Sequence, residues 1–139
     1  MMDNRTPIRW RLRLENFRRA VERLESACRL DEYSKLERAG LVQTFEFSFE
    51  LGWKTLKDLL DHEGYDDKTP REVIRRAFQA GYLDETDTTT WLDGLDKRNL
   101  LSHIYHEGIA REAERLIKER YHPLLRRLLD HLEEKAAKP

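Results

Sequence analysis

The longest uninterrupted helical pattern in the sequence constrains the fold more than any other feature. From Leu41 to Leu59 the apolar residues recur at spacings of three and four, as one face of an α-helix requires. The middle of this segment, FEFSFELGW, also alternates like a strand, but no turn signal breaks the longer pattern. Ser34 and Glu37 have the spacing of a capping box. The pattern therefore predicts one long helix from Ser34 to about Glu63.

Phe47 and Leu51 fall on a second face of this helix. A helix that is apolar on two sides lies at the centre of its domain or in an oligomer interface. We therefore expect this helix to be central, and we expect a homodimer.

Four further segments have helical spacing, each with its own start or stop signals. They cover about Leu12 to Leu30, Thr69 to Gly81, the run from DETDTTT to RNLLSH, and about Gly108 to Glu134. In the Thr69 helix we expect Glu72 to complete a capping box and Phe78 to be buried. In the last segment Pro123 is expected to kink the helix and to free the carbonyl of Glu119.

These segments predict an all-α, up-and-down bundle of about five helices. At 139 residues the chain is long enough to bury a core, and a charged fraction of 38% suits helices with a solvated outer face. We expect a single domain over residues 1–139, with about 1–10 and 135–139 flexible.

The chain has one cysteine, Cys28, on the apolar stripe of the first helix. We expect a buried free thiol and a reducing, cytoplasmic compartment. No stretch has the length and hydropathy of a signal peptide or a membrane span, so no membrane association is expected. The net charge of −1 gives no overall attraction to nucleic acid. RNA would need a local basic patch, formed only if Arg18-Arg19, Arg75-Arg76 and Arg126-Arg127 converged.

Several kinds of site are absent from the sequence. It has no glycine-rich phosphate loop and no cysteine-based metal spacing, so no cofactor and no metal are expected. His103 and His106 could share a helical face, but no clear further ligands accompany them. The remaining histidines are expected at the surface, and two tryptophans on apolar stripes are expected in the core: His62, His122 and His131, and Trp53 and Trp91.

The stretch RNLLSHIYHEG contains Arg98 and His103, separated by four residues. This spacing alone carries no weight, because about 0.6 such pairs are expected by chance in a chain of this composition. Arg126 and His131 have the same spacing inside a leucine-rich helix, where about 140° of helical rotation separates them. Arg98, in contrast, lies near a helix end, where a bend could bring His103 back towards it.

An arginine beside a histidine suits phosphodiester chemistry. The guanidinium of Arg98 would hold a phosphate and stabilise its developing charge, His103 would move a proton, and Asn99 could orient either group. The alternative is structural, since Arg and His near a helix C-terminus often satisfy the last carbonyls and the helix dipole. The residues alone leave both interpretations open.

The sequence resembles the HEPN superfamily, specifically its branch of nucleotidyltransferase substrate-binding proteins. The resemblance is carried by AGLVQTFEFSFELGWKTLKDLL, TPREVIRRAFQAGYL and WLDGLDKRNLLSHIY, in that order, and with the flanking helices it covers nearly the whole chain. The family motif is Arg, a polar residue, a short spacer and His, extended in the toxin branch to His-x-Tyr. These positions are Arg98, Asn99, His103 and Tyr105 here.

The resemblance implies a five-helix dimer that brings two motifs to one cleft and acts as a metal-independent endoribonuclease toxin. It also implies a small minimal nucleotidyltransferase as partner, which would transfer AMP to Tyr105 and so block cleavage. Glu46 or Glu50 could tether the motif residues. Two alternatives remain open: a non-catalytic subunit that presents a substrate to the nucleotidyltransferase, and a helical dimerisation module whose polar motif only caps a helix.

Overall fold

In the computed structural model the described part of the chain comprises residues 5–102 and 107–138, with the side chains of 9–98 and 108–138. These residues form six α-helices and one π-helical segment, and no strand occurs among them. The elements are α1 Arg5–Ala27, α2 Lys35–His62, α3 Pro70–Gln79, α4 Glu85–Ser102, α5 Glu107–Leu116, the π segment Ile117–Tyr121 and α6 His122–Ala137. Because α5, the π segment and α6 follow one another directly, they form one continuous arm. The prediction of an all-α bundle with five helical arms is confirmed.

Helix α2 lies at the centre of the bundle and runs antiparallel to both α1 and α4. Residues of α1 meet α2 in reversed order, since Arg13 contacts Asp58 and Ala20 contacts Ser48. Helix α6 in turn runs antiparallel to α1, with ion pairs from Arg18 to Glu133 and from Arg126 to Glu25. The arms α1, α2, α4 and α5–α6 therefore alternate in direction, and the short α3 lies in the connection between α2 and α4.

The predicted bounds of α2 are confirmed. The Ser34 hydroxyl accepts the backbone N–H of Glu37 at 3.1 Å, and the Glu37 carboxylate accepts the N–H of Ser34 at 2.9 Å. The helix ends before Gly64, whose φ of 98° is a left-handed conformation that glycine adopts without a Cβ penalty. The start and stop signals in the sequence were thus sufficient to define this helix.

Helix α3 begins at the predicted N-cap but departs from two expectations. Thr69 caps it by accepting the N–H of Glu72 at 3.3 Å, whereas the Glu72 carboxylate accepts from Lys68 instead of closing the box on Thr69. Phe78, expected in the core, is 47% exposed, because α3 buries only the narrow face of Val73, Ile74 and Ala77. The helix is too short and too peripheral to bury a wider stripe.

Helix α1 begins at Arg5, earlier than the predicted Leu12, and ends at Ala27 instead of Leu30. Trp10 extends the apolar stripe by one turn and is 4% exposed, while Arg11 donates to the carbonyl of Ala136 at 3.1 Å. Packing against the end of α6 therefore supports the additional N-terminal residues of α1. Cys28 lies in the turn after α1 as a free thiol, but it is only partly buried, less than the predicted buried thiol.

Pro123 lies just after the π segment. The N–H of His122 donates to the carbonyl of Ile117, five residues back, which is the hydrogen bond of a π-helix. Such single wide turns accommodate residues that interrupt the regular ladder, as proline does by lacking an N–H. The sequence located the irregularity at Pro123 but did not predict its form.

Most surface and core assignments agree with the structure. Trp53 and Trp91 are buried, and His62 and His131 are exposed, as predicted. His122 was expected at the surface, but its side chain is only 22% exposed and lies 3.4 Å from the Glu25 carboxylate. Among the described residues no helix has the length and hydropathy needed to cross a membrane.

Candidate functional site around Arg98

Arg98 lies in the last described turns of α4, with its side chain 42% exposed. Its guanidinium nitrogen Nη1 is 3.9 Å from Oε2 of Glu50 on α2, and the Glu50 side chain is 44% exposed. The two charged groups thus meet at the surface, where a solute could reach them. A carboxylate at this distance orients an arginine electrostatically, without a hydrogen bond between them.

This meeting depends on a close crossing of α2 and α4. A Cβ at Gly94 would lie 2.9 Å from ring carbons of Phe49, and one at Gly52 would lie 2.8 Å from the Trp91 ring. Any larger residue at either glycine would push the helices apart. Gly94 is one turn before Arg98, and Phe49 precedes Glu50, so the crossing sets the distance between the two charges.

An aromatic cluster fixes this crossing from inside the bundle. Phe49 packs on Trp91 with ring centroids 4.6 Å apart, and Phe45 stacks on Tyr121 at 5.2 Å. Phe45 and Phe49 also contact each other at 5.4 Å. Ring pairs at these separations add to the stability gained by burial, so α2, α4 and the π segment form one packed unit beneath Arg98.

Glu50 is itself held by a neighbour on α2. The indole N–H of Trp53 donates to Glu50 Oε2 at 2.5 Å, the same oxygen that faces Arg98. Residues three apart on a helix lie on the same side, which makes this bond possible. Glu46 is half-buried one turn before Glu50 on the same helix. Glu46 and Glu50 were the supporting residues expected from the sequence, and in the structure Glu50 lies beside Arg98.

The other motif residues are described less fully. The backbone of Asn99 belongs to α4, while its side chain, together with His103 and Tyr105, lies outside the described residues. His106, considered with His103 as a metal ligand, lies outside them as well. Within the described ranges no group of three or more His, Cys, Asp or Glu side chains is arranged to hold a metal ion.

A polar network that the sequence analysis missed lies on the other side of α4. Asp93 accepts the hydroxyl of Tyr121 at 2.8 Å and pairs with Arg120 at 3.2 Å and Lys97 at 3.4 Å. The signal available in the sequence was Gly94, since a glycine inside a helical pattern usually marks close packing. That packing brings the π segment to Asp93 and places two further cations near the end of α4.

The pKa of Tyr121 is raised above its ordinary value, first by burial and then by its hydrogen bond to Asp93. Both effects favour the neutral hydroxyl, which can donate to the carboxylate. Tyr121 therefore stays protonated near neutral pH and joins the π segment to α4.

The second Arg-x4-His pair differs from the first in its surroundings. Arg126 pairs with Glu25 on α1 at 3.0 Å, whereas His131 packs edge-on against the ring of Tyr82, with centroids 6.0 Å apart. The two side chains thus contact different parts of the bundle, as their helical separation predicted. This pair is a suitable internal control for the motif.

Among the described residues, at least one arginine of each basic pair contacts a carboxylate. Arg18 donates to Glu15, Arg76 to Asp67 and Arg127 to Asp87. These arginines are thus paired with neighbouring acidic residues.

The chain is similar in sequence and in fold to known proteins. Residues 12–134 match the family model described as nucleotidyltransferase substrate binding protein like. A crystal structure of a protein from Thermus thermophilus matches with a TM-score of 0.77 and 32% identity, covering 84% of this chain and 98% of that one. A curated relative from Haemophilus influenzae, named "Probable ribonuclease HepT", is 32% identical over 77 residues. That match covers 52% of this chain and spans about half, 51%, of the relative's length.

Proposed function

The chain belongs to the nucleotidyltransferase substrate-binding family of the HEPN superfamily, and we propose that it is a metal-independent endoribonuclease toxin controlled by a partner nucleotidyltransferase. The observation that carries this proposal is the position of Arg98. It lies half-exposed on α4, directed by Glu50, at a helix crossing built from two glycines. The name of the Haemophilus influenzae relative supports the same reaction class.

Each motif residue has a role that its chemistry suits. Arg98 binds the scissile phosphate and stabilises the charge that develops on its oxygens. His103 takes the proton of a ribose 2′-OH as this oxygen attacks phosphorus, and the bond from phosphorus to the 5′ oxygen breaks. The leaving oxygen takes a proton from an imidazolium, which the second His103 of a dimer supplies. Asn99 positions the phosphate or the imidazole.

The proposed homodimer is supported by apolar side chains left exposed on α2. Phe47 is 56% exposed and Leu36 is 83% exposed. Phe47 lies three residues before Glu50, so it borders the contact with Arg98 on the helix surface. A second copy that covered Phe47 would bring its own motif close to the first. The exposure of Phe47 therefore connects dimerisation with a composite cleft.

Regulation by the partner is proposed to act at Tyr105. In the transfer of AMP the Tyr105 hydroxyl oxygen would attack the α-phosphorus of ATP, lose its proton and displace pyrophosphate. The product would carry a bulky anion two residues from His103, where it would exclude an RNA phosphate. The family description supports a nucleotidyltransferase as this partner. Mass spectrometry of the protein co-expressed with its nucleotidyltransferase should find one or more added AMP groups, and Tyr105→Phe should abolish them.

A second candidate function is a non-catalytic subunit that presents a substrate to the nucleotidyltransferase. The family description itself favours it, because it names substrate binding and no cleavage. Under this alternative the protein forms a stable complex with the nucleotidyltransferase and leaves RNA intact when separated from it.

Expression in bacterial cells without the partner separates the two functions. The ribonuclease predicts growth arrest and RNA degradation by the unmodified wild type, and neither by Arg98→Ala or His103→Ala. His131→Ala, from the second Arg-x4-His pair, is the matched control and should arrest growth like the wild type. Normal growth and intact RNA with folded, unmodified wild-type protein would exclude the ribonuclease.

A further inference from the structure

The Glu50 carboxylate makes two very different contacts through one oxygen. Oε2 accepts the indole N–H of Trp53 at 2.5 Å and lies 3.9 Å from Nη1 of Arg98. The first is a charge-assisted hydrogen bond, whereas the second is too long to be a hydrogen bond. The carboxylate is therefore held by the indole N–H and forms no hydrogen bond with the guanidinium.

The anchor is much more rigid than the group it holds. Trp53 is 8% exposed and belongs to the hydrophobic core, so its ring has a fixed position. The Glu50 side chain is 44% exposed, and an exposed carboxylate would rotate freely without such a bond. A free carboxylate at this place could close on Arg98 and form the bidentate pair that arginine and carboxylate prefer.

We propose that Trp53 is a positioning residue: its indole N–H holds Glu50 where the carboxylate orients Arg98 but does not take the place of an RNA phosphate. This inference rests on the proposed ribonuclease function. The Glu-x-x-Trp spacing on α2 places Glu50 and Trp53 on one side of the helix, so that the indole can reach the carboxylate. Trp53 acts on RNA only through Glu50 and Arg98.

The first test replaces Trp53 by phenylalanine, which removes the N–H and retains an aromatic ring. Binding of a fluorescein-labelled, mixed-sequence single-stranded RNA oligonucleotide is measured in the His103→Ala background, so that no cleavage occurs. Since the released carboxylate competes with phosphate for Arg98, the dissociation constant should rise about tenfold, the effect of one charge-assisted contact. Unchanged binding would overturn the proposal.

Trp10→Phe is the matched control. Trp10 is a buried indole on α1, one turn from Arg13, which contacts Asp58 about two turns of α2 away from Glu50, so the substitution leaves the Glu50–Trp53 bond and the crossing of α2 and α4 in place. Both variants lose a similar volume from the core. At a temperature where both are folded, only Trp53→Phe should weaken RNA binding, and equal weakening by the two would contradict a specific role of the Trp53 N–H.

The second test asks whether Trp53 acts through Glu50. Glutamine at position 50 is neutral and cannot compete for Arg98 as an ion, so Trp53→Phe should have no further effect on binding in a Glu50→Gln background. Two residues that act as a unit are non-additive in such a cycle. Additive losses would show that Trp53 supports the fold alone and would overturn the proposal.

A third measurement separates this proposal from the proposed function. In an NMR spectrum of ¹⁵N-labelled protein, the Trp53 indole N–H signal should move strongly in Glu50→Gln while the Trp91 signal stays in place. Absence of RNA binding and cleavage by the wild type would overturn the ribonuclease function. An unmoved Trp53 signal would overturn the positioning role whether or not RNA is bound.

Discussion

At the scale of single residues, Arg98 owes its position to other side chains as much as to its own helix. Glu50 lies 3.9 Å from it on the neighbouring helix, and Trp53 holds Glu50. The spacing of Arg98 and His103 occurs twice in this chain, and only the surroundings distinguish the two pairs. Residue identity and spacing are therefore insufficient to define the site. The residues that surround each pair distinguish Arg98 and His103 from Arg126 and His131.

Arg98→Lys tests whether the forked guanidinium is needed. Lysine keeps the charge but cannot make two parallel hydrogen bonds to a phosphate. RNA cleavage should fall by about 100-fold or more, the usual effect of losing a donor that stabilises developing charge. Thermal unfolding should hardly change, because an exposed ion pair contributes at most about 1 kcal/mol.

Arg126→Lys is the control for this substitution, since Arg126 belongs to the pair that the structure separates. It should cleave RNA at the wild-type rate. Equal activity of Arg98→Lys and the wild type would show that Arg98 does not bind the scissile phosphate through its fork.

Cys28 should titrate far above neutral pH. Burial raises the pKa of its thiol from 9.0 to about 11, with Lys118 opposing the shift. Alkylation of the folded protein at pH 8 should therefore be much slower than alkylation in denaturant. A rate equal to that of the denatured chain would show that the thiol is not shielded.

The same shift sets the sign of a contribution to stability. Because the folded pKa is raised, the protonated thiol is favoured in the native state, and its contribution is complete below pH 9. It is lost as the pH rises from 9 to about 11. Urea unfolding over this interval should show a smaller decline for Cys28→Ser than for the wild type.

At the scale of helices, the crossing of α2 and α4 connects the core to the site. Gly52 and Gly94 allow the contacts with Trp91 and Phe49, and the same contacts set how far Glu50 lies from Arg98. Packing and electrostatics are thus coupled at this point. A change that moves α4 outward should affect activity before it unfolds the protein.

Gly94→Ala should reduce both stability and RNA cleavage. Its Cβ would lie 2.9 Å from the Phe49 ring, and overpacking of this kind costs about 1–3 kcal/mol, more than the helix propensity that alanine adds. Urea denaturation measures the stability, and cleavage is assayed where the variant is fully folded. A more stable and fully active Gly94→Ala would contradict the close crossing.

Gly40→Ala is the matched change on α2. Nothing lies within 4 Å of the added Cβ, and the position is exposed. Here the gain in helix propensity is unopposed, so the protein should become more stable by about 1 kcal/mol. Its activity should equal that of the wild type.

The sequence predicts a structural feature well when the residues that form it are close together in the chain. The capping residues Ser34 and Thr69 lie within a few residues of the N–H groups they bind, and both were predicted correctly. The exposure of Phe78 depends on how little of α3 the other helices cover, which no spacing reveals. The network at Asp93 joins residues far apart in the chain, so only the packed bundle brings it together.

The residues of the candidate site also differ in how far the sequence reveals them. Arg98 could be proposed from the sequence as part of the family motif, and Glu46 and Glu50 as equal candidates to support it, because they are polar residues in an apolar helix. The role of Trp53 could not, because its apolar stripe indicated core packing, and core packing is indeed what its ring does. Only the distance from its indole N–H to Glu50 reveals the second role.

At the scale of the whole molecule, the bundle buries its aromatic core but leaves Phe47 and Leu36 exposed on α2. The long second helix was predicted to be central or to form an interface, and it is central. The interface remains a prediction, which the exposed Phe47 supports. If the cleft needs two motifs, oligomeric state and activity must change together.

Phe47→Glu should convert the proposed dimer to a monomer and abolish RNA cleavage. A carboxylate buried in an apolar interface without a partner costs several kcal/mol, enough to dissociate a micromolar dimer. Sedimentation velocity measures the mass, and cleavage is assayed on the same sample. A monomeric wild type at micromolar concentration would contradict the composite cleft.

Phe78→Glu is the control, since Phe78 is exposed to a similar extent on α3. It should remain dimeric and active. Loss of the dimer in both variants would indicate a general effect of added negative charge instead of a specific interface.

If the Arg98–His103 motif cleaves RNA, as we propose, purified and unmodified protein should cut labelled single-stranded RNA in the presence of EDTA. We predict that the wild type and His131→Ala cleave at similar rates, whereas His103→Ala loses about 100-fold or more, as expected for a general acid–base residue. Intact RNA with the folded wild-type dimer, or full activity of His103→Ala, would contradict the claim.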